Sequence, residues 1–263
     1  DVIRFEDWDT YDSRIEKPTM KILDLLDGHG VKATFFVLGW VAERHPKLVV
    51  EIQRRGHEIA CHGYSHRLAY DLSRNEFRED TRRAKRLLED LTGEPVAGYR
   101  AASYSITKRS FWALDILIEE GFAYDSSIFP IYHDRYGYPE FSRFPEVVRK
   151  DGAGEILEIP LTSLRILGKN FPVAGGGYLR LLPVGFIQWS IRKINEREAR
   201  PAVIYFHPWE IDPEQPRLNG SMLSSFRHRI NMDKTFSKVS RLLETVRFGT
   251  IKEAFADELG GKA

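Results

Sequence analysis

Cysteine is almost absent from this sequence: Cys61 is the single one in 263 residues. An internal disulfide is excluded, so the fold is expected to rest on a packed core rather than on cross-links. Long apolar runs are missing as well. No segment approaches the roughly 18 apolar residues of a membrane-spanning helix, and the first residues lack the basic and apolar regions of a secretory signal. The chain as it stands is therefore expected in the cytoplasm. An excess of charge of either sign is also lacking. With 39 Lys and Arg against 38 Asp and Glu, the net charge is +1, which offers no bulk attraction to nucleic acid or to an anionic membrane. The basic pairs Arg82-Arg83 and Lys85-Arg86 sit among acids at helical spacing and read as a solvated helix face. There is no internal repeat and no low-complexity tail, and nothing in the sequence fixes an oligomeric state.

What is present is an ordinary globular composition, 42% hydrophobic and 29% charged, with ample chain to bury a core. Apolar patterning alternates between strand and helix. Val2 to Phe5 reads as a short opening strand, and Pro18 to Leu26 as a helix with proline in its first turn and a stop at Gly28-His29-Gly30. Val31 to Leu38 reads as a buried strand. A helix is expected over 41–55, a strand over 57–61, and a charged helix over 74–91 with Phe77, Thr81, Ala84, Leu87 and Leu88 on one stripe. Further units are expected at 98–100 (strand), 108–120 (helix), 123–126 (strand), 155–159 (strand), 202–206 (strand) and 233–246 (helix), with a short strand at Thr250-Ile251. Residues 129–154 read as a long loop near the site, and 171–183 as a turn or close-approach segment. Such a rhythm implies an α/β fold with a parallel sheet, open or closed into a barrel, and one domain over 1–263.

Ionisable groups fall at the expected strand ends: Glu6-Asp7, His62 and His66, Arg100, Asp125 and His207. In parallel α/β folds the C-terminal ends of strands share one rim, where sites are built. His62 and His66 are four residues apart, a spacing that places two imidazoles on one side of a helical turn within reach of a shared metal. Asp7 is the natural third ligand, and a His-His-carboxylate set leaves positions open for water and substrate. The bland alternative is a surface or capping pair of histidines. His207 reads either as a satisfied strand-end histidine or as a general acid. Arg100 reads as an ion-pair partner or as the group that keeps a catalytic carboxylate ionised. Asp125 reads as a turn cap, and Cys61 as packing.

Several of these segments together resemble the polysaccharide deacetylase family, carbohydrate esterase family 4 with its NodB-homology domain. They are Phe5-Glu6-Asp7-Trp8, the strand Lys32-Ala33-Thr34-Phe35-Phe36-Val37, the run from Gly56-His57-Glu58 through His62-Gly63-Tyr64-Ser65-His66, Gly98-Tyr99-Arg100, and Tyr205-Phe206-His207. The stretches Gly175-Gly176-Gly177-Tyr178 and His207-Pro208-Trp209-Glu210 resemble the branch associated with exopolysaccharide and exosortase gene clusters, so about 171–263 is read as a branch-specific C-terminal part. The resemblance implies a distorted (β/α) barrel with a C-terminal extension. It also implies a divalent metal, zinc first with cobalt, nickel or manganese as alternatives, and removal of N- or O-acetyl groups from a polysaccharide in exopolysaccharide biosynthesis.

Carried onto this sequence, the resemblance makes Asp7, His62 and His66 the metal ligands, Arg100 the partner of the base, and His207 the general acid. Tyr104, Asp125 and Trp209 become substrate-binding residues, with the backbone N–H of Tyr104 a candidate oxyanion donor. The first motif departs from the pattern. Arg4 stands where the nearest branch has an aspartate, which leaves Glu6 as base, Asp1 as a displaced base, or no base at all. Two other functions are weighed beside deacetylation: hydrolysis of a non-sugar amide or ureide C–N bond on the same fold, and glycan binding by a catalytically impaired homologue.

Overall fold

The computed structural model describes residues 3–133, 136–152, 154–173, 175–216 and 229–260. The chain forms two compact units, one from residues 1–31 with 172–248 and the other from residues 32–171 with 249–263.

The middle unit carries the main sheet. Strands β1 (Thr34–Val37), β2 (Glu58–Cys61), β3 (Gly98–Tyr99), β4 (Tyr124–Asp125), β5 (Glu146–Lys150) and β6 (Gly154–Glu158) lie in the order β1-β2-β3-β4-β6-β5. All pairs are parallel except β5 with β6. The expected parallel sheet is therefore present. The strand β5 is an addition: residues 129–154 read as loop from their Pro, Tyr, Arg and Gly content, whereas Glu146–Lys150, mostly exposed and charged, forms a pleated edge strand with one wet face. A hairpin of β7 (Ser163–Ile166) and β8 (Lys169–Pro172) follows.

The helices of this unit are α2 (Gly39–Arg44), α3 (Pro46–Arg54), α4 (Arg74–Thr92) and α5 (Ala113–Glu119). Where one helix is expected over 41–55 there are two, because Pro46 lacks the N–H needed to continue α2 and instead begins α3. Ser73 caps α4 in a reciprocal box with Glu76, and Gly93 ends it with φ +67. Phe77, Thr81, Ala84 and Leu88 form its buried stripe, and α3 and α4 both pack on β2.

The Thr250-Ile251 segment is not a strand. Thr250 caps the short helix α9 (Ile251–Ala254), which is followed by α10 (Ala256–Leu259). The α9 N–H groups of Ile251 and Lys252 donate to Thr34 Oγ1 at 2.8 Å and to Glu58 Oε2 at 3.2 Å. Tyr124 donates to the other Glu58 oxygen at 2.6 Å. A nearly buried carboxylate at a helix N-terminus satisfies both its own lone pairs and the orphan donors, which ties residues 249–260 to the sheet.

The other unit is mainly helical: α1 (Glu16–Gly28), α6 (Gly177–Leu181), α7 (Val184–Arg197) and α8 (Met232–Thr245). Its core is Leu179, Ile187, Ile191, Val239 and Leu242, with Leu25, Ile204 and Phe206 against it. The helix α6 falls inside 171–183, read as a turn or close-approach segment, and α7 follows it where no element is expected. Two expected strands are absent. Phe5 opens a 3-10 turn, Phe5–Thr10, rather than ending a strand, and 202–206 keeps only a parallel bridge between Tyr205 and Gly175. That bridge requires glycine: Gly175 has φ +146, and a Cβ there would lie 1.8 Å from the Tyr205 carbonyl oxygen. Among the described residues no helix is long and apolar enough to cross a membrane.

Candidate active site

The segment from His62 to His66 leaves the buried strand β2 and is held on both sides of its backbone. The α2 N–H groups of Gly39 and Trp40 donate to the carbonyls of Gly63 (2.8 Å) and Tyr64 (3.2 Å). From α4, Asp80 accepts the N–H of Tyr64 at 2.7 Å, the N–H of Ser65 at 3.1 Å, and the Ser65 hydroxyl. Gly63 has φ +72, and a Cβ on it would lie 2.9 Å from Asp80 Oδ2, so glycine is required there. His66 itself adopts φ +54.

The two imidazoles face each other edge to face, with centroids 5.2 Å apart. His62 Nδ1 lies 2.6 Å from the Arg100 carbonyl oxygen. A carbonyl only accepts, so Nδ1 carries the proton and the lone pair is at Nε2. A ligating histidine is commonly held this way, so the pair fits two positions of a divalent metal. Asp7 belongs to the other unit, where Arg4 Nε donates to its Oδ2 at 3.2 Å. Among the described residues no group of three His, Cys, Asp or Glu side chains is assembled that could hold a metal ion.

Behind His62 stands a buried polar network. Arg100, 7% exposed, donates from Nε to the Ser126 carbonyl (2.9 Å) and from a terminal nitrogen to Ser126 Oγ (2.8 Å), with its guanidinium over the Phe36 ring at 4.1 Å. Ser127 Oγ accepts the Ala101 N–H at 2.7 Å and donates to Asp125 Oδ1 at 2.6 Å. Asp125, carried over as a substrate-binding residue, has no exposed surface, and its oxygens hold Ser127. Its partner across the parallel register is Glu158, equally buried. Burial pushes both carboxyls up. The Asp125 charge raises Glu158 further, well above the usual carboxylate range.

Tyr104, carried over as a substrate-binding residue, sits in a tight turn. Ser103 and Tyr104 both take left-handed φ values, +49° and +55°, a strained turn of the kind stored near functional sites. Tyr104 is 7% exposed and its ring packs edge-on to Phe129 and Tyr136. Its N–H donates to the Ala101 carbonyl at 3.2 Å, which engages the expected oxyanion donor in the turn.

In the helical unit, His207 forms a second constellation. Its Nδ1 lies 2.7 Å from Glu210 Oε1, and its backbone N–H donates to the same oxygen at 3.0 Å. Glu210 is fully buried and accepts from Arg180 Nε at 2.8 Å. The Trp209 ring stacks on His207, with centroids 5.5 Å apart and planes 18° apart, and the Arg180 guanidinium lies 5.0 Å from the Trp209 ring. Burial alone would raise the Glu210 carboxyl, but the bond from His207, its charge and that of Arg180 hold it below the usual range. Glu210 therefore stays an anion that fixes the His207 ring with Nε2 as its remaining proton site.

A stability test follows from that sign. A carboxyl held low in the folded state stabilises the fold above its unfolded value, and the contribution is lost as pH falls through the lowered folded value. Glu210→Gln should cost about 3 kcal/mol at neutral pH by uncompensating a buried guanidinium. In urea melts, the gap between wild type and variant should close on acidification.

The residues not singled out from sequence are Asp80 and Glu158. Each carried a signal: an acid bordering the apolar stripe of α4, and an acid inside the apolar run of β6. Of the two candidate bases, Glu6 is exposed, and Asp1 lies outside the described residues.

Residues 6–117 match the polysaccharide deacetylase family, and residues 126–256 match a domain of unknown function, DUF3473. The chain is 43% identical over 75 residues to a peptidoglycan-N-acetylglucosamine deacetylase of Bacillus cereus, covering 28% of this chain and 27% of that protein. It is 31% identical over 99 residues to a chitooligosaccharide deacetylase of Sinorhizobium fredii, covering 38% and 44%. The chain thus spans less than half the length of these curated relatives. Among solved structures, a protein of Mycobacterium smegmatis assigned as a polysaccharide deacetylase superposes with a TM-score of 0.60 at 22% identity, covering 93% of this chain and 77% of that one. An allantoinase superposes with a TM-score of 0.57 at 20% identity, covering 93% and 72%. The sheet order and these superpositions give one mixed α/β fold, and the chain carries, over residues 6–117, a polysaccharide deacetylase domain of the NodB-homology type, carbohydrate esterase family 4.

Proposed function

We propose that this chain is a metal-dependent hydrolase that removes N- or O-linked acetyl groups from a bacterial polysaccharide, in exopolysaccharide biosynthesis. The observation that carries this reading is His62: inside the matched domain its Nδ1 proton is held by the Arg100 carbonyl, the preparation of a histidine for a metal at Nε2. The DUF3473 match and the His207-Pro208-Trp209-Glu210 run support the exopolysaccharide branch.

Asp7, His62 and His66 are the proposed ligands, with zinc as first choice and cobalt, nickel or manganese compatible with the same donors. The chemistry such a metal supplies when bound is Lewis acidity toward an acetyl carbonyl and a more acidic water. Glu6 is the proposed base that takes a proton from the attacking water. His207 donates its Nε2 proton to the departing sugar amine or alcohol, while Glu210 and Arg180 hold its ring. Trp209, stacked on His207, offers an aromatic edge for a sugar beside the proton donor. Arg100 acts from inside the fold, through its carbonyl on His62 and its guanidinium on Ser126.

The test pairs metal analysis of the purified protein with acetate release from a panel of acetylated oligosaccharides. His62→Ala is expected to lose bound metal and turnover together. Stoichiometric metal and full turnover in that variant would refute the assignment. One observation favours a second reading, glycan binding without catalysis: Arg4 occupies the position of the branch's first aspartate and pairs with Asp7.

A further inference from the structure

The His62–His66 segment owes its shape to a residue that none of the motifs contains. Asp80 collects three donors from two of the three residues between the histidines: the N–H of Tyr64, the N–H of Ser65 and the Ser65 hydroxyl. Its Oδ2 also lies where a Cβ on Gly63 would intrude. The opposite side of the same peptides is fixed by the α2 N–H groups of Gly39 and Trp40. Both clamps belong to rigid elements. The helix α4 is capped at both ends and packs on β2, the strand that delivers His62. The peptide planes at 63 and 64 are thereby set before any ligand arrives, and they set the direction in which His66, at φ +54, leaves the turn.

We infer that Asp80 is the positioning residue for the His62–His66 pair and sets the affinity of that pair for a divalent metal. This inference rests on the metal reading proposed above. Preorganisation of a ligand-bearing turn lowers the ordering cost paid on binding, and loss of an outer partner of a ligand commonly weakens metal binding about 10–100-fold. Asp80→Asn replaces one acceptor oxygen by an NH2 group facing donors, which turns an attraction into a clash.

The test is zinc titration calorimetry of the full chain, read beside urea unfolding of the metal-free protein. Asp80→Asn should bind zinc about 10–100-fold more weakly than wild type. Ser65→Ala removes one of the three contacts and should weaken binding by a smaller factor, so it decides the matter if Asp80→Asn does not fold. Ser73→Ala removes the α4 cap without touching the turn. It should lower the unfolding midpoint and leave zinc affinity at the wild-type value. If Ser65→Ala, and Asp80→Asn where it folds, bind zinc as wild type does, Asp80 is an ordinary fold contact and the inference fails. If wild type takes up no zinc, cobalt, nickel or manganese, the metal reading itself fails and this inference falls with it.

Discussion

His207→Ala is expected to lower acetate release about 10²–10⁴-fold, the range that a positioned general acid contributes, while leaving bound metal unchanged. The expectation rests on geometry inside one unit. Glu210 accepts both the backbone N–H and Nδ1 of His207, and it is itself held by Arg180, so only Nε2 is left to exchange a proton with a leaving group. The role predicts a dependence on that leaving group. An aryl acetate, whose phenolate needs no protonation, should be hydrolysed by His207→Ala at close to the wild-type rate, whereas an N-acetyl sugar should not. Equal losses on both substrates would mean that His207 serves binding or structure instead, and comparing kcat on the two is the deciding measurement.

Glu6→Gln is expected to keep metal and substrate affinity and to lose turnover about 10²–10⁴-fold, the contribution of a general base. The companion variant is Arg4→Asp, which restores the acid that the branch places there and removes the cation paired with Asp7. If Glu6 is the base, Arg4→Asp changes turnover little and Glu6→Gln alone is slow. A wild-type rate in Glu6→Gln would move the base elsewhere. Should wild type release no acetate while Arg4→Asp does, the chain is a glycan binder that lost its base through the Arg4 substitution. Acetate release at saturating substrate separates the three outcomes.

The sheet and the histidine pair were legible because they rest on local signals. Thr34 to Val37 and Glu58 to Cys61 are short apolar runs bounded by turns, and α4 has a clean stripe with a capping box at Ser73. The elements that escaped depend on distant partners. Glu146 to Lys150 becomes a strand only because β6 offers its edge, and Thr250-Ile251 becomes a helix start because Glu58 and Thr34 accept its N–H groups. The same holds in the site. His62 is found from its spacing with His66, but Asp80 and Glu158 act through hydrogen bonds across sequence gaps that periodicity cannot see. Conversely, the segment 202–206 has the composition of a strand, yet it keeps one bridge because its neighbour is Gly175-Gly176 rather than another strand.

The two units are interlaced along the chain, and this bears on the order in which the protein can be made. Residues 1–31, with Asp7 among them, are translated before the middle unit, but their own unit is completed only by 172–248. The sheet of the middle unit is translated next, and it receives its last helical contact, α9 on Glu58 and Thr34, only from residues beyond 249. Each unit is therefore closed by a segment translated after part of the other. Long-range closure of this kind slows folding, and it leaves residues 1–31 waiting through the translation of 32–171 with their core partners still unmade.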